Sequence, residues 1–491
     1  MKAVPTIAFD SNREGNRASE LLTSTSNLLD KVVFIAALAV MVVAIVPYGA
    51  TDAWWEALFE CAVFGITALW IVEGSFAGWR LRTLFVVLPL AIITIYAFAQ
   101  AMPWPAALPA LGSGTSLRRT LTIDGYQTYV TARKALALTL FLGLLISHTS
   151  TAGRFRWLVR MVIGLGLGTA IFGILRQFLQ NADLNSGFIF PLLSPGVGYG
   201  QFISANVFAY LMEMVFGLLI GLVLGGGIKR DRLLLYAASA VVVWTALVLS
   251  SSRGAMIGLA CQVFFALMVG LRWYSARQGA DASRIVTFMS SKLVRVLATV
   301  LIVGTLTAGV FWVGAGNLAW KFQGTTSGAA SSQQEPGDGT TRKEIWRSSW
   351  NLIKNNPWTG VGFGAYFLGI PQYDTSSGKF KLEQAHNDYL DLAASGGIVA
   401  VLLAAWFIAT IIGRSRVSLR SRDNYRRAAS LGAVAGMLSV GVHSFVDFGL
   451  QVTGIAVVFG ALVVIATADS RVESVGRESK RSRDLLQKVR T

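Results

Sequence analysis

The sequence predicts an all-α integral membrane protein, a polytopic bundle of about twelve transmembrane helices with one large extramembrane loop. Three observations predict it. Apolar residues make up 54% of the chain and charged ones 14%, with a mean hydropathy of +0.56; a soluble domain carries roughly 25% charged residues. Apolar runs of about 18 residues, enough to cross about 30 Å of hydrocarbon, recur along the whole length. Basic residues concentrate in every second segment between those runs, as membrane orientation requires.

Taken in order, residues 1–31 are polar, lack the apolar region of a signal peptide, and read as a disordered cytoplasmic tail. Residues 32–468 form the membrane domain, with spans expected at 32–48, 54–73, 84–102, 134–148, 157–180, 205–227, 233–250, 254–271, 296–314, 390–412, 428–446 and 452–468. The fourth is short, so it is expected to tilt or extend. With the N-terminus inside, the inner segments hold 29 of the 43 Lys and Arg residues and the outer segments 12. Arg160 and Arg176 fall within the fifth span. Both ends therefore lie in the cytoplasm, and 469–491 is a basic cytoplasmic tail. The net charge of +17 is spread through these short loops, which argues against a nucleic-acid partner. Cys61 and Cys261 lie in apolar spans and offer no disulfide framework.

Three outer segments are long: 103–133, behind Pro103, Pro105 and Pro109; 181–204, rich in Gly and Pro; and 315–389. Within the last, 324–341 is small and polar. Residues 341–357 read as a helix, with Thr341 and Glu344 at capping-box spacing and Pro357 after its end. Ile345, Trp346, Ser349, Trp350, Leu352 and Ile353 share a face suited to the bilayer interface.

The candidate chemistry gathers on the outer side. His386 stands in Gln384-Ala385-His386-Asn387-Asp388-Tyr389, just before an apolar run. The chain has three histidines, without zinc or haem spacing, so a lone imidazole beside a carboxylate reads as a proton acceptor. Arg253 sits in Ser250-Ser251-Ser252-Arg253-Gly254-Ala255, which joins two apolar runs with almost no loop. An arginine at that boundary either snorkels to headgroups or grips phosphate oxygens. Arg342 and Arg347 meet solvent and lipid phosphate on one reading, a ligand on the other. His443 and Asp447 are spaced i, i+4, as a helix-pinning pair or an aid to binding. Glu213, deep in an apolar run, needs a partner, for which Arg176 is one offer. His148, at the inner end of the fourth run, reads as structural. Arginines near the membrane, one imidazole and no acidic cluster of the kind that holds a metal-bound nucleotide sugar suit a lipid-linked pyrophosphate donor. Its good leaving group needs charge stabilisation and a base, with no metal and no cofactor.

Five stretches carry a resemblance: Ser252-Arg253-Gly254-Ala255, Thr341-Arg342-Lys343-Glu344-Ile345-Trp346, Asn356-Pro357-Trp358-Thr359-Gly360-Val361-Gly362-Phe363-Gly364, Ala385-His386-Asn387-Asp388-Tyr389-Leu390 and His443-Ser444-Phe445-Val446-Asp447-Phe448. In order and spacing over about 250–450 they resemble the O-antigen ligase and O-antigen polymerase family of bacterial envelope glycosyltransferases. Ten residues separate His386 from Gly397, similar to the family's His-x10-Gly pattern. The resemblance implies a GT-C-like fold in the bacterial inner membrane and an active site facing the periplasm. It implies metal-independent, inverting transfer of a glycan from undecaprenyl pyrophosphate to an acceptor hydroxyl. Arg253 and Arg342 would bind the pyrophosphate, and His386 would activate the acceptor. Asn387, Asp388, Tyr389, His443 and Asp447 would support the site or the acceptor. The family's Arg-x10-Gly pattern has no clear match, which leaves Arg347 as a rival to Arg342. The acceptor is a second lipid-linked repeat for a polymerase, or lipid A core for a ligase; the large loop and likeness to exopolysaccharide proteins favour the polymerase. Expected partners are the lipid-linked donor, the acceptor, membrane lipid, a flippase and a chain-length regulator. A transporter is the alternative of another class, with its essential residues at mid-depth rather than at the outer rim. A non-enzymatic envelope scaffold is a third reading, and it would tolerate conservative changes at Arg253 and His386.

Overall fold

A computed structural model describes residues 11–77, 85–104, 120–179, 198–278, 342–374 and 382–468. These residues are helical, with no strand among them. In chain order the helices are α1 (Ser11–Ile45), α2 (Ala53–Ala77), α3 (Leu88–Ala101), α4 (Gly125–His148), α5 (Ala152–Leu179), α6 (Ala205–Leu224), α7 (Arg230–Leu249) and α8 (Arg253–Gln278). After them come α9 (Arg342–Asn355), α10 (Asp388–Ser418), α11 (Asn424–His443) and α12 (Thr453–Thr467). Among the described residues, eight helices are long and apolar enough to cross a membrane, and α3 and α12 are shorter apolar helices. Eleven of the expected spans fall on helices; the one at 296–314 lies outside the described residues, as do the segments 105–119, 181–197 and 315–341.

Two boundaries differ most from expectation. Helix α1 begins at Ser11, so residues 11–31 are helical where a disordered tail was expected. That stretch contains no proline, and extending a nucleated helix costs far less than starting one. Helix α4 begins at Gly125, nine residues before the apolar run, because Asp124 caps it by accepting from the backbone N–H of Gln127 at 3.0 Å. The extra turns lift the end of α4 to where Ile123 N–H meets the carbonyl of Val361.

The core centres on α6, α11 and α12, whose inner residues are almost wholly removed from solvent. Glycine lets α6 and α11 approach. Gly217, Gly221 and Gly225 stand at four-residue spacing and face Gly432, Gly436 and Ala428. A Cβ at Gly217 would lie 2.7 Å from the Cα of Gly436, and one at Gly221 would overlap Gly432. In a bilayer, where the hydrophobic effect does not drive helix pairing, such close van der Waals contact is the attraction that remains.

At one end of the bundle, α1, α2, α4 and α5 are tied by polar groups. His148 Nδ1 donates to the Leu144 carbonyl at 2.9 Å, and its Nε2 faces Glu73 Oε2 at 2.8 Å. Arg154 reaches Asp30 at 2.6 Å and the His148 carbonyl at 3.0 Å. Arg176, offered as a partner for Glu213, instead donates to the Gly200 carbonyl at 2.6 Å. It lies near the end of α5, beside the 198–202 turn, whereas Glu213 sits two turns into α6.

Candidate active site

The opposite end gathers the candidate chemistry. Ahead of α10, Asn387 caps the helix by accepting from the N–H groups of Tyr389 and Leu390, each at 3.0 Å. Its amide donates to the Phe445 carbonyl at 2.8 Å, which fastens the start of α10 to the end of α11. Asp388 completes the joint: its N–H donates to the Ser444 carbonyl and its carboxylate accepts from Ser444 Oγ at 2.8 Å. Tyr389 donates to the Gly441 carbonyl at 2.6 Å. Asn387, Asp388 and Tyr389 thus hold the frame that presents the residue before them.

That residue, His386, has φ +48°, in the left-handed region that an L side chain enters at a cost of about 1–2 kcal/mol. Its side chain is 37% exposed. Nδ1 stands 3.9 Å from Asp447 Oδ1, an ion-pair distance too long for a hydrogen bond. The ring meets Phe448 edge-on, with centroids 5.0 Å apart. Asp447 is buried. Burial pushes its carboxyl up, but the His386 imidazole, the Arg342 guanidinium and the charge of His443 outweigh burial and hold it at about 2. Arg342, half-buried at the start of α9, is therefore electrostatically coupled to the carboxylate beside His386.

Helix α9 packs through Ile345, Ser348, Ser349 and Leu352, and Ser349 bonds Tyr366 at 2.7 Å. Of the face expected to suit the bilayer interface, Ile345, Ser349 and Leu352 are buried and Trp350 is exposed, and Thr341 of the expected capping box lies outside the described residues. At 100° per residue, Arg342 stands at the edge of the packed face and Arg347 on the far side, exposed. His443 and Asp447, expected as a pair, take separate partners, because α11 ends at His443 and the chain turns away from helical spacing. His443 faces Glu213 at 3.2 Å and Ser252 at 3.4 Å. Arg253 follows Ser252 as the first residue of α8.

The glycine-rich stretch 356–364 is docked along α10, which breaks at Gly397 (φ 61°, ψ −163°). There Val361 N–H donates to the Ala394 carbonyl, Gly362 N–H to that of Ser395 and Ile398 N–H to that of Pro357, at 2.8–2.9 Å. A Cβ at Gly397 would overlap the Trp358 carbonyl, so the position needs both a positive φ and no side chain. Two residues of α3 clamp the same stretch: Tyr96 donates to the carbonyls of Thr359 and Gly396, and Gln100 to that of Thr359 at 2.7 Å. Sequence reasoning missed Tyr96 and Gln100, whose partners lie some 260 residues away. It also missed Asp391, which accepts from the Ala385 N–H at 3.2 Å and interacts with the charge of His386. Its position one helical turn beyond Asn387 was the available signal.

Together these residues supply a half-exposed imidazole, a buried carboxylate behind it and an arginine acting on that carboxylate. No curated protein matches the chain. A family model described as O-antigen ligase matches residues 238–405, a stretch that holds Arg253, Arg342, Arg347, His386 and Gly397 and ends before His443 and Asp447. Joined to the apolar helices, the match supports a multi-pass membrane protein that carries, over residues 238–405, a stretch similar to the O-antigen ligase family, and with it ligase- or polymerase-type glycosyltransferase activity.

Proposed function

We propose that the protein is a metal-independent, inverting glycosyltransferase on the periplasmic face of the inner membrane, transferring a glycan from undecaprenyl pyrophosphate to an acceptor hydroxyl. The observation that carries the reading is the half-exposed His386 imidazole set 3.9 Å from the buried Asp447 carboxylate. In the reaction the acceptor oxygen attacks the anomeric carbon from the side opposite the phosphate. The bond from that carbon to the phosphate oxygen breaks, and its electron pair leaves with the lipid pyrophosphate. His386 takes the acceptor proton, and Asp447 stabilises the imidazolium that results. Arg253 and Arg342 neutralise charge on the leaving pyrophosphate, a task guanidinium performs without a metal ion. Arg342 is favoured over Arg347 because it acts on the same carboxylate as His386, whereas Arg347 lies on the far face of α9.

We favour polymerisation of lipid-linked repeats over transfer to lipid A core, on the strength of the large outer loop. Purified protein in liposomes, given lipid-linked repeats and either a second repeat or core lipid, separates the two by which product forms. A third result, no transfer to either acceptor, would count against the enzyme reading. A chelator is expected to leave the rate unchanged; loss of activity restored by a divalent cation would contradict the mechanism.

A further inference from the structure

Three buried polar groups in the bundle interior, Glu213, His443 and Tyr210, neither take the acceptor proton nor meet the leaving group in the proposed transfer step. Glu213 on α6 is fully buried and His443 on α11 is 1% exposed. His443 Nδ1 faces Glu213 Oε2 at hydrogen-bond distance, 3.2 Å. Tyr210 stacks on the ring, with centroids 4.0 Å apart and planes 9° apart. Burying such a pair is expensive and stabilises a fold little compared with an apolar contact of the same shape, so its use here calls for a positional reason.

The other edge of the imidazole supplies one. Nε2 faces Ser252 Oγ at 3.4 Å, and that hydroxyl also caps α8 by accepting from the Ala255 N–H. Next along, a Cβ on Gly254 would lie 2.7 Å from His443 Nε2 and 2.7 Å from Val446 Cγ2. One turn further, a Cβ on Gly258 would lie 2.6 Å from Glu213 Oε1. The first turns of α8 therefore rest on the imidazole–carboxylate pair through two glycines. Arg253 is held between Ser252 and Gly254, both in contact with His443. The turn leading in is strained as well, since Ser251 has φ +55°.

We infer that His443, oriented by Glu213, is a positioning residue for Arg253: it fixes the register of the turn that aims the guanidinium at the donor pyrophosphate. This rests on the donor-binding role given to Arg253 above. The full-length protein in liposomes tests it with undecaprenyl pyrophosphate itself as the probe, binding being measured without turnover. His443→Gln and Gly254→Ala are each expected to weaken binding about tenfold and to raise the KM for the lipid-linked donor. The KM for the acceptor should stay unchanged. Glu213→Gln, which keeps the shape but removes the charge, should have a smaller effect in the same direction. In an Arg253→Ala background, His443→Gln should add nothing further.

A merely structural role would lower the folded yield and leave the affinity of the folded fraction intact. That outcome, or additive losses in the double variant, overturns the inference. If Arg253→Ala itself binds the probe as wild type does, the donor-binding reading fails instead. If Arg253→Ala weakens binding while His443→Gln does not, only the positioning role is lost.

Discussion

Of the three histidines that face a carboxylate among the described residues, His148 and His386 stand at opposite ends of the bundle and are built to different specifications. His148 is 2% exposed, with one ring nitrogen on a backbone carbonyl and the other 2.8 Å from Glu73. His386 is 37% exposed, sits 3.9 Å from Asp447 and has a strained backbone. The first ring has both hydrogen-bonding positions used and is closed to any other molecule. The second keeps one edge open to solvent and its carboxylate at a looser distance. A satisfied buried imidazole ties helices; a half-open one, held against the backbone's preference, can exchange a proton.

The largest expected effect comes from removing the open ring. His386→Ala should lower transfer by about 10²–10⁴-fold, the range for a lost general base, while the protein still inserts and folds. Wild-type turnover by this variant would end the distinction between the two rings. Asp447→Asn should cost less, about 10–10²-fold in kcat, because the base remains but its imidazolium loses the facing charge. The pH dependence of this carboxylate has a definite sign. Its pKa is held at about 2, below the ordinary ~3.9, so its contribution to stability is complete above about pH 4 and is lost as the pH falls through 2. Wild-type rates between pH 5 and 8 should therefore show no step due to Asp447; a step abolished by Asp447→Asn would contradict its being ionised. Next, Arg342→Ala should weaken turnover about tenfold or more and Arg347→Ala less than threefold, since one residue acts on the site carboxylate and the other lies on the far face. Equal losses would return Arg347 to the site. The smallest catalytic effect is expected at the closed ring. His148→Gln should leave kcat and both KM values near wild type while lowering stability by about 1–3 kcal/mol, read as a reduced unfolding midpoint.

Much of this was legible in the sequence for one reason: membrane helices announce themselves by long apolar runs, and a chain motif such as Ala385-His386-Asn387-Asp388 keeps its residues together in any fold. Helix caps were readable in the same local way only in part. The start of α4 was placed late because its first turns, Gly125 to Arg133, are polar and stand beyond the apolar run. What stayed hidden depends on partners distant in sequence. His443 and Asp447 look like a pair at helical spacing, yet the helix ends at His443, and Glu213, 230 residues earlier, takes the imidazole. Tyr96 and Gln100 read as ordinary residues of an apolar span until the glycine-rich stretch is seen lying on them. Periodicity reports which face a residue takes, not which helix arrives to meet it.

The docking of residues 357–362 onto the break at Gly397 has a consequence for traffic through the outer surface. Three backbone hydrogen bonds stitch this stretch into the interrupted ladder of α10, so it travels with that helix as one piece. A motion that parts this stretch from α10 has to break all three bonds. The seam between 357–362 and α10 is thus a fixed wall of the outer surface, closed as long as the helix keeps its break at Gly397.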